Sequence, residues 1–220
     1  MFKLILTEDG STSIENTLLN ETYHSVHGAI QESSHVFIQC GLQPLIKENI
    51  TLRIFEMGFG TGLNAFLTLK EIPSSVKIEY VSIEKYPLDE EQMKALNYAE
   101  RIGSNADWEK IAQAAFGQKT KVAENFTIEK FHADFLEFTL NETFDLIYYD
   151  AFGPSAQPDL WSEAAMEKCS ALLGSGGVLV TYCAQGQFRR NLKANGFLIE
   201  KLAGPPGKRE ITRGIKKIVE

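Results

Sequence analysis

The feature that most constrains this chain is a glycine-rich turn between a strand pattern and a helix pattern. Residues 51–64 read TLRIFEMGFGTGLN, so an apolar strand pattern carries Glu56 near its end, three glycines follow at alternate positions, and an apolar helix begins. Gly58, Gly60 and Gly62 can take positive φ and carry no Cβ, which lets the backbone turn sharply against a ligand. The first helical turn also offers N–H groups without partners. The stretch predicts a nucleotide-type binding loop.

The glycine spacing and the acids after two further strands favour S-adenosylmethionine over a dinucleotide. Dinucleotide folds use G-x-G-x-x-G, whereas this loop reads E-x-G-x-G-x-G. A second strand, 77–83, ends at Glu84, whose carboxylate can accept from both hydroxyls of a ribose. A third strand, 126–131, is followed by Asp134, which could meet the exocyclic amine of an adenine. Two alternatives stay open: Glu84 pairs with Lys85 or caps its strand, and Asp134 is the N-cap of the next helix.

A further acid follows the fourth strand pattern, 144–149, and opens a stiff loop. Asp150 comes directly after that strand, and the next eleven residues read AFGPSAQPDLW. Each of the two prolines fixes its own φ and restricts the residue before it. Because ligands of open α/β sheets lie beyond the carboxyl ends of the strands, Asp150 should face the same crevice as Glu56 and Glu84. The alternative is a turn that only covers the sheet, which would not require an acid at this position.

The order of the patterns predicts an α/β fold with a doubly wound, mostly parallel sheet. The strand patterns that alternate with helical ones are 53–55, 76–83, 126–131, 144–149 and 177–182. A late hairpin, 197–202 with 209–215, would add an antiparallel member, as in the Rossmann-like class I methyltransferase fold. We expect residues 1–50 to form an N-terminal extension packed on the core, with a hairpin over 3–14 and a helix over about 25–41. Residues 51–220 would be the methyltransferase domain, with an insertion of mixed helical character over 96–124.

Composition limits the classes of protein to which the chain can belong. Its 220 residues are 44% hydrophobic and 23% charged, which suits a compact domain. No stretch is apolar enough to cross a bilayer, and the start lacks the pattern of a signal peptide, so a cytoplasmic location is expected. Cys40, Cys169 and Cys183 are far apart without a C-x-x-C pair, and the four histidines have no partners at ligand spacing. We therefore predict neither a disulfide framework nor a metal site.

The charge of the chain is unevenly distributed. Residues 189–220 contain nine Lys or Arg against three Glu, whereas the rest of the chain contains 13 against 26 acids. Such a basic end can bind a polyanion, because phosphate contacts are local and are screened beyond about 10 Å. The run PPG at 205–207 would hold Lys208 and Arg209 in a rigid loop, and we predict that they and Arg213 contact phosphates. The alternative is that these side chains only face water.

Several motifs together resemble the methyltransferase half of the MnmC-type tRNA wobble-uridine modification enzymes. They are ETYHS at 21–25, GA at 28–29, ESSHVF at 32–37, E-x-GFGTGLN at 56–64, EKYPL at 84–88, DAFGP at 150–154, QPDLW at 157–161 and KRE at 208–210. The resemblance implies N-methylation of the aminomethyl group of 5-aminomethyluridine, or of its 2-thio form, at the tRNA wobble position. It also implies that Asn64 binds the cofactor and that Tyr23 and His24 close the substrate pocket.

The resemblance and the residues together suggest roles for the substrate side. Asp150 would accept a hydrogen bond from the reacting amine, orient it and take its proton, or leave the proton to water. Phe152 and Trp161 would enclose the uracil, as aromatic side chains do for bases in single-stranded loops. Lys208, Arg209 and Arg213 would contact the anticodon stem-loop of tRNA. The FAD-dependent half of the two-domain enzymes is not in this sequence, so we expect a stand-alone form that depends on an upstream enzyme for the aminomethyl precursor.

Two alternative functions stay open at the level of sequence. One is an S-adenosylmethionine-dependent methyltransferase acting on a small soluble amine, which the net charge of −7 would attract. The other is a binding module that has the fold and no turnover. The acids Glu56, Glu84 and Asp150 at their strand ends favour an enzyme over a binding module.

Overall fold

The computed structural model describes residues 2–218, and a large sheet lies at its centre. The strands within these residues are β1 (Phe2–Leu6), β2 (Thr12–Asn16), β3 (Glu21–Thr22), β4 (Thr51–Met57), β5 (Lys77–Glu84), β6 (Thr120–Ala123), β7 (Phe126–His132), β8 (Phe144–Tyr149), β9 (Leu173–Thr181), β10 (Phe197–Ala203) and β11 (Glu210–Lys216). The α-helices are α1 (Ala29–Ser33), α2 (Leu63–Glu71), α3 (Glu90–Lys94), α4 (Tyr98–Ile102), α5 (Asn105–Gln113), α6 (Glu163–Leu172) and α7 (Gly186–Ala194). A π-helix (Ser34–Leu42) continues α1, and 3₁₀ turns cover Gln43–Leu45 and Pro158–Trp161.

The central sheet has eight strands in the order β10-β11-β9-β8-β4-β5-β7-β6. Strands β9, β8, β4, β5 and β7 pair in parallel, and β11 pairs antiparallel with both β9 and β10. The predicted doubly wound sheet with a late antiparallel hairpin is therefore confirmed. The chain runs from β4 toward β7 on one side and from β8 toward β9 on the other. This reversal places a crevice at the carboxyl ends of β4 and β8, where open α/β sheets bind their ligands.

The sheet is covered by helices on both faces because its strands alternate between two apolar cores. In β4, Leu52 and Ile54 face the core that contains α2, α5 and the π-helix. Phe55 and Met57 face the opposite core, which contains α6 and α7. The two-residue period of a strand therefore turns Glu56 toward the α2 side. No helix within residues 2–218 is long and apolar enough to cross a membrane.

The N-terminal residues form a small sheet that packs against the edge of the crevice. The predicted hairpin is present as β1 and β2, and β3 adds a third antiparallel strand. Asn97, just before α4, ties the hairpin down by accepting the Thr12 backbone N–H at 2.8 Å and by donating to the Gly10 carbonyl at 2.9 Å. The helix predicted from Ser25 begins only at Ala29, because the Ser25 N–H donates to the side chain of Glu32 in a turn.

The segment expected to be a helical insertion also contains a strand. Residues 96–124 include α4, α5 and β6, and β6 pairs antiparallel with β7 at the edge of the sheet. The sequence prediction missed β6 because only four residues form it. The partner that stabilises the strand is the adjacent β7, from which only a two-residue turn separates it.

Candidate active site

A cavity of about 380 Å³ lies over the glycine loop, beyond the carboxyl ends of β4, β5 and β8. Most of the residues predicted for cofactor or substrate line it. They are Tyr23, His24, Gly58, Gly60, Asn64, Glu84, Asp134, Asp150, Phe152 and Lys208. Five predicted residues lie outside its wall, namely Glu56, Gly62, Trp161, Arg209 and Arg213. The structure therefore places most of the residues predicted to bind cofactor or substrate around one cavity, and it places the other five outside the wall of that cavity.

The glycine loop is shaped by direct contact with the end of β8. Gly58, Gly60 and Gly62 have φ of +89°, +50° and +76°, as the sequence predicted. A Cβ on Gly58 would lie 2.6 Å from the carbonyl oxygen of Asp150, a distance that no side-chain carbon tolerates. A Cβ on Gly60 would lie 3.0 Å from the Tyr23 ring. The loop can therefore lie between the tip of β8 and the N-terminal extension only with glycine at the first position.

Glu84 holds the glycine loop and at the same time faces the cavity. One carboxylate oxygen accepts the Gly60 N–H at 2.9 Å, and the other accepts the Tyr86 N–H at 2.8 Å. The open alternative, a pair with Lys85, is absent because Lys85 pairs with Asp134 instead. A carboxylate has about four acceptor positions, so the two that remain can serve a ligand. The predicted contact to a ribose stays a prediction.

Asp134 lies at the cavity wall with its charge already balanced. The Lys85 ammonium donates to it at 2.6 Å, and the Leu136 N–H donates to its other oxygen at 2.9 Å. The bond from Lys85 is the main reason that the pKa of Asp134 is lowered. No helix begins at Asp134, so the alternative of a helix N-cap is wrong; the residue caps a turn. Its contact to an adenine stays a prediction.

Asp150 lines the cavity with a single side-chain hydrogen-bond partner. Its Oδ2 accepts one hydrogen bond, from Nδ2 of Asn64 at 2.8 Å. Burial raises the pKa of Asp150 to about 7, with Glu32 and Glu84 adding to the rise and Asn64 and Lys208 opposing it. A carboxyl with a pKa near neutrality can accept a hydrogen bond and can also take up a proton. This is the protonation behaviour that general acid–base chemistry requires.

Lys208 is fixed in the cavity wall and is not free for phosphate, contrary to the prediction. Its ammonium pairs with the buried Glu32, 2.5 Å away, and lies 3.9 Å from the centroid of the Tyr182 ring. The Tyr182 hydroxyl donates to the Ala151 carbonyl at 2.6 Å, which ties this group to the loop after β8. Glu32 and Tyr182 were not predicted as site residues, because nothing in their local sequence shows that Lys208 lies beside them. The only signal was Glu32's place in the ESSHVF motif.

The other two predicted phosphate ligands differ in their availability. Arg213 donates to Glu200 and to the Cys40 carbonyl and lines no cavity described here, so its predicted role is corrected to a structural one. Arg209 is exposed and lines a second, open cavity of about 530 Å³. That cavity shares Tyr182 and Lys208 with the first. Arg209 therefore lies at the entrance to the site.

Trp161 is a core residue and does not line the cavity, so the prediction that it encloses the uracil is wrong. It is 4% exposed, and its ring packs edge-on against Tyr149 and Phe188. Its Nε1–H donates to the Phe152 carbonyl at 2.7 Å. Phe152 itself lines the cavity, as predicted, and contacts Tyr23 edge-on with 5.0 Å between ring centroids. Trp161 thus acts on the cavity only through the backbone that it holds.

His24 connects the N-terminal extension to the glycine loop. Its Nδ1 lies 3.1 Å from the Ser13 hydroxyl and its Nε2 lies 3.5 Å from the Thr61 hydroxyl, to which Tyr98 also donates. Burial lowers the pKa of His24 to about 4, so the ring is neutral at physiological pH. A neutral imidazole has one donor and one acceptor nitrogen, which fits these two hydroxyl partners. The extension therefore helps to form the site.

Glu56 and Gly62 lie under the site instead of in its wall. Glu56 is completely buried, and its Oε2 accepts from the Ser82 hydroxyl at 2.8 Å. A Cβ on Gly62 would lie 2.8 Å from the Phe59 ring, so this glycine allows Phe59 to pack against the start of α2. The prediction that Glu56 faces the crevice is wrong, because the strand alternation turns its side chain toward α2.

Comparison with known proteins identifies the class that this fold and site define. The family of S-adenosyl-L-methionine-dependent methyltransferases matches residues 97–217, just over half of the chain, and the chain belongs to this family. The predicted cofactor is that of the family. Among residues 2–218, no group of three or more His, Cys, Asp or Glu is arranged to hold a metal ion.

The relatives narrow the resemblance to one kind of methyltransferase. The tRNA 5-methylaminomethyl-2-thiouridine biosynthesis bifunctional protein MnmC of Magnetococcus marinus is 30% identical over 205 residues, which cover 88% of this chain and 31% of that protein. The protein of the same name from Aromatoleum aromaticum is 28% identical, covering 96% and 35%. These matches confirm the resemblance to the MnmC-type enzymes. The chain spans about a third of the length of these relatives.

Solved structures support the fold assignment. The crystal structure of MNMC2 from Aquifex aeolicus superimposes with a TM-score of 0.83 at 24% identity, covering 100% of this chain and 71% of that one. Spermidine synthase from Thermotoga maritima superimposes with a TM-score of 0.55 at 15% identity, covering 100% and 80%. At these identities the matches show a shared fold.

The residues of the cavity fit S-adenosylmethionine, which is a cation at its sulfur. Gly58 and Gly60 line the cavity with backbone alone, so a ligand can lie directly against the loop. The carboxylates of Glu84 and Asp150 face the cavity on either side of that loop. Because two oxygens of Glu84 are fixed by backbone N–H groups, its remaining acceptor positions point in set directions. The chemistry of this donor set suits a ligand with hydroxyl, ammonium and sulfonium groups.

The contact between Gly58 and Asp150 predicts the effect of one added methyl group. Gly58→Ala should weaken S-adenosylmethionine binding by at least about tenfold, because its Cβ would push the Asp150 carbonyl out of position. The substitution should also destabilise the fold by roughly 1–3 kcal/mol, the backbone strain expected for a residue other than glycine at positive φ. Isothermal titration calorimetry measures the affinity, and thermal unfolding measures the strain.

Gly103→Ala is the matched control, because Gly103 has φ of +94° and a Cβ there would meet nothing within 4 Å. It should carry the strain alone and bind S-adenosylmethionine as the unaltered chain does. Equal affinities for the two variants would contradict the importance of the contact.

Proposed function

We propose that this chain transfers a methyl group from S-adenosylmethionine to the amine of 5-aminomethyluridine, or of its 2-thio form, at the wobble position of tRNA. The observation that carries the proposal is Asp150, which faces the cavity beside the glycine loop with a pKa of about 7. Phe152 lies two residues further, at the same cavity. The names of the MnmC relatives give the proposal its substrate.

The reaction requires an amine with a free lone pair. The bound cofactor supplies an electrophilic methyl group on a positively charged sulfur. Asp150 accepts a hydrogen bond from the incoming amine and holds it in line with that group. As the new N–C bond forms, the methyl–sulfur bond breaks and its electron pair stays on the sulfur, which leaves as a neutral thioether. The nitrogen must lose one proton, which passes to Asp150 or to water. The product is a secondary amine that still carries one hydrogen.

The ion pair of Lys208 and Glu32 adds no net positive charge to the cavity. The Lys208 ammonium is held at the cavity wall by Glu32 and by the Tyr182 ring. Glu32 raises the pKa of Asp150 more than Lys208 lowers it. A carboxylate stabilises an ammonium, so the substrate amine binds by charge and must give up its proton before it can act as a nucleophile.

The aromatic residues and Arg209 account for the recognition of tRNA. Phe152 and Tyr23 form an edge-to-face pair in the cavity wall, against which a base turned out of the anticodon loop can pack. Arg209 lies at the adjoining cavity, where the phosphates beside that base would pass. A substrate of this kind implies action in the cytoplasm. It also implies an upstream enzyme or domain that makes the aminomethyl group, since the residues of this cavity have no means of removing a carboxymethyl group.

The role of Asp150 predicts a specific dependence on pH. Asp150 can accept a proton only when ionised, so activity should be lost as the pH falls through its pKa of about 7. Asp150→Asn should lower kcat by about 100-fold or more, the usual contribution of a positioned acid–base group, and abolish this dependence. Both are measured with purified chain, labelled cofactor and tRNA that carries 5-aminomethyluridine.

Asp145→Asn is the control, because Asp145 lies at the opposite end of β8 and accepts from the Arg53 N–H. It should keep the rate and the pH profile. An Asp150→Asn enzyme that stays active, with the same fall below pH 7, would contradict the role given to Asp150.

The position of Arg209 predicts a loss of affinity for tRNA alone. Arg209→Gln should raise KM for tRNA with little change in kcat, and should reduce the slope of log KM against log salt by about 1, as for one lost phosphate contact. Lys201→Gln is the control, since Lys201 is exposed on β10 and lines neither cavity. If free 5-aminomethyluridine or spermidine were methylated as efficiently as tRNA, the small-amine alternative would replace the proposal.

A further inference from the structure

A lysine occupies a core position of β7. The alternation of that strand buries Phe126, Ile128 and Lys130 on one face, toward the core that contains α5. Lys130 is only 2% exposed. A lysine is almost never fully buried unless its charge has partners, because removing an ammonium from water costs free energy. The surroundings of Lys130 must therefore stabilise its charge.

The end of α5 supplies part of that stabilisation. Nζ of Lys130 donates to the carbonyl of Ile111 at 3.3 Å and to the carbonyl of Ala112 at 3.2 Å. Carbonyls in the last turn of a helix lack partners within the helix and form the negative end of its dipole. Within residues 2–218, no carboxylate charge acts on this ammonium: burial alone lowers the pKa of Lys130, to about 8, so the side chain stays mostly protonated at pH 7.

Two aromatic rings supply the rest. Nζ of Lys130 lies 4.5 Å from the centroid of the Phe59 ring and 5.0 Å from the centroid of the Phe116 ring. A cation is attracted to the face of an aromatic ring, most strongly where water is excluded. Phe116 follows α5 in the chain, whereas Phe59 belongs to the glycine loop. The buried charge therefore connects the end of α5 to the glycine loop.

Phe59 supports the part of the loop that faces the cavity. It is 6% exposed and lines the cavity between Gly58 and Gly60. Its N–H donates to the Ile83 carbonyl at 3.1 Å, and its carbonyl accepts the Gly62 N–H at 2.8 Å. Its ring fills the space in which a Cβ on Gly62 would stand, 2.8 Å away. A displaced Phe59 ring would therefore move the backbone against which a ligand lies.

We propose that Lys130 is a positioning residue for the cofactor: its ammonium attracts the Phe59 ring toward the end of α5 and so holds the glycine loop in the shape that binds S-adenosylmethionine. Lys130 lines neither cavity, so it acts through Phe59 and makes no contact with the cofactor. The proposal goes beyond the function proposed above, because it concerns the binding of the cofactor and not the identity of the methyl acceptor.

Two variants of Lys130 test the need for its charge. Lys130→Met keeps the length of the side chain and removes the charge, so the Kd for S-adenosylhomocysteine, measured by calorimetry, should rise at least about fivefold. Lys130→Arg restores a cation that binds aromatic faces and donates to carbonyls, so its Kd should stay within about threefold of the unaltered chain. A Lys130→Met chain that binds as tightly as the unaltered chain, or a Lys130→Arg chain that binds as weakly as Lys130→Met, would overturn the proposal.

Lys216→Met is the matched control for a general loss of stability. Nζ of Lys216 donates to the carbonyls of Ser170 and Leu173 at 2.6 and 2.7 Å, so this lysine also binds two carbonyls at the end of a helix, α6. It lines neither cavity. Lys216→Met should lower the thermal midpoint of unfolding and leave the affinity for S-adenosylhomocysteine unchanged. If it weakens binding as much as Lys130→Met does, stability alone explains the effect and the proposal fails.

A double-mutant cycle tests whether Lys130 acts through the ring of Phe59. Phe59→Leu keeps an apolar side chain and removes the ring. In the Phe59→Leu background, Lys130→Met should weaken binding by less than about twofold further, because the two residues share one interaction. If the two losses multiply, Lys130 acts by another route and the proposal is wrong.

The outcome does not depend on the survival of one variant or on the methyl acceptor. If Lys130→Met does not fold, Lys130→Gln replaces it in the same comparisons, since it keeps N–H donors for the α5 carbonyls and carries no charge. If the binding results are as expected but the unaltered chain methylates no tRNA, the proposed function fails and the role of Lys130 stands.

Discussion

The site depends on the close approach of two strand ends, those of β4 and β8. The carbonyl oxygen of Asp150 occupies the space in which a Cβ on Gly58 would stand, 2.6 Å from it. This contact fixes the backbone of Asp150 relative to the glycine loop, and the loop is fixed in turn by the bond from Gly60 N–H to Glu84. The cavity therefore forms at the point where the strand order reverses, and its two facing acids belong to strands on either side of β4. The pairing of the strands therefore determines where the acids of the site lie.

The acids around the cavity differ in how many partners they have, and this decides which can react. Asp134 is balanced by Lys85, Glu32 by Lys208, and Glu84 by two backbone N–H groups. Asp150 has the single hydrogen bond from Asn64. Burial acts most strongly on a carboxyl that has little compensation, which explains why Asp150 has a pKa near neutrality while Asp134 has a lowered one. Among these four acids, reactivity is concentrated at Asp150, because the other three are already paired.

Local sequence patterns were sufficient to predict the fold and the position of the cavity. Strand periodicity, glycine spacing and acids at strand ends depend on neighbouring residues, and they placed Gly58, Glu84 and Asp150 correctly. The prediction for Glu56 was wrong although the signal was present, since Leu52, Ile54 and Glu56 share one face of β4. The predictions for Lys208 and Arg213 were wrong without any local signal. Lys208 pairs with Glu32, 176 residues earlier in the sequence, and Arg213 donates to the Cys40 carbonyl, 173 residues earlier. Such partners are set by tertiary packing, which no short motif encodes.

In the proposed mechanism, the cavity over the glycine loop binds the cofactor with its sulfur facing Asp150. A crystal structure of the chain with S-adenosylhomocysteine tests it most directly. We expect the ribose hydroxyls to contact Glu84 and the sulfur to lie on the side of Asp150, with Glu56 buried beneath and out of contact. A ligand bound outside this cavity, or one whose sulfur points away from Asp150, would contradict the account.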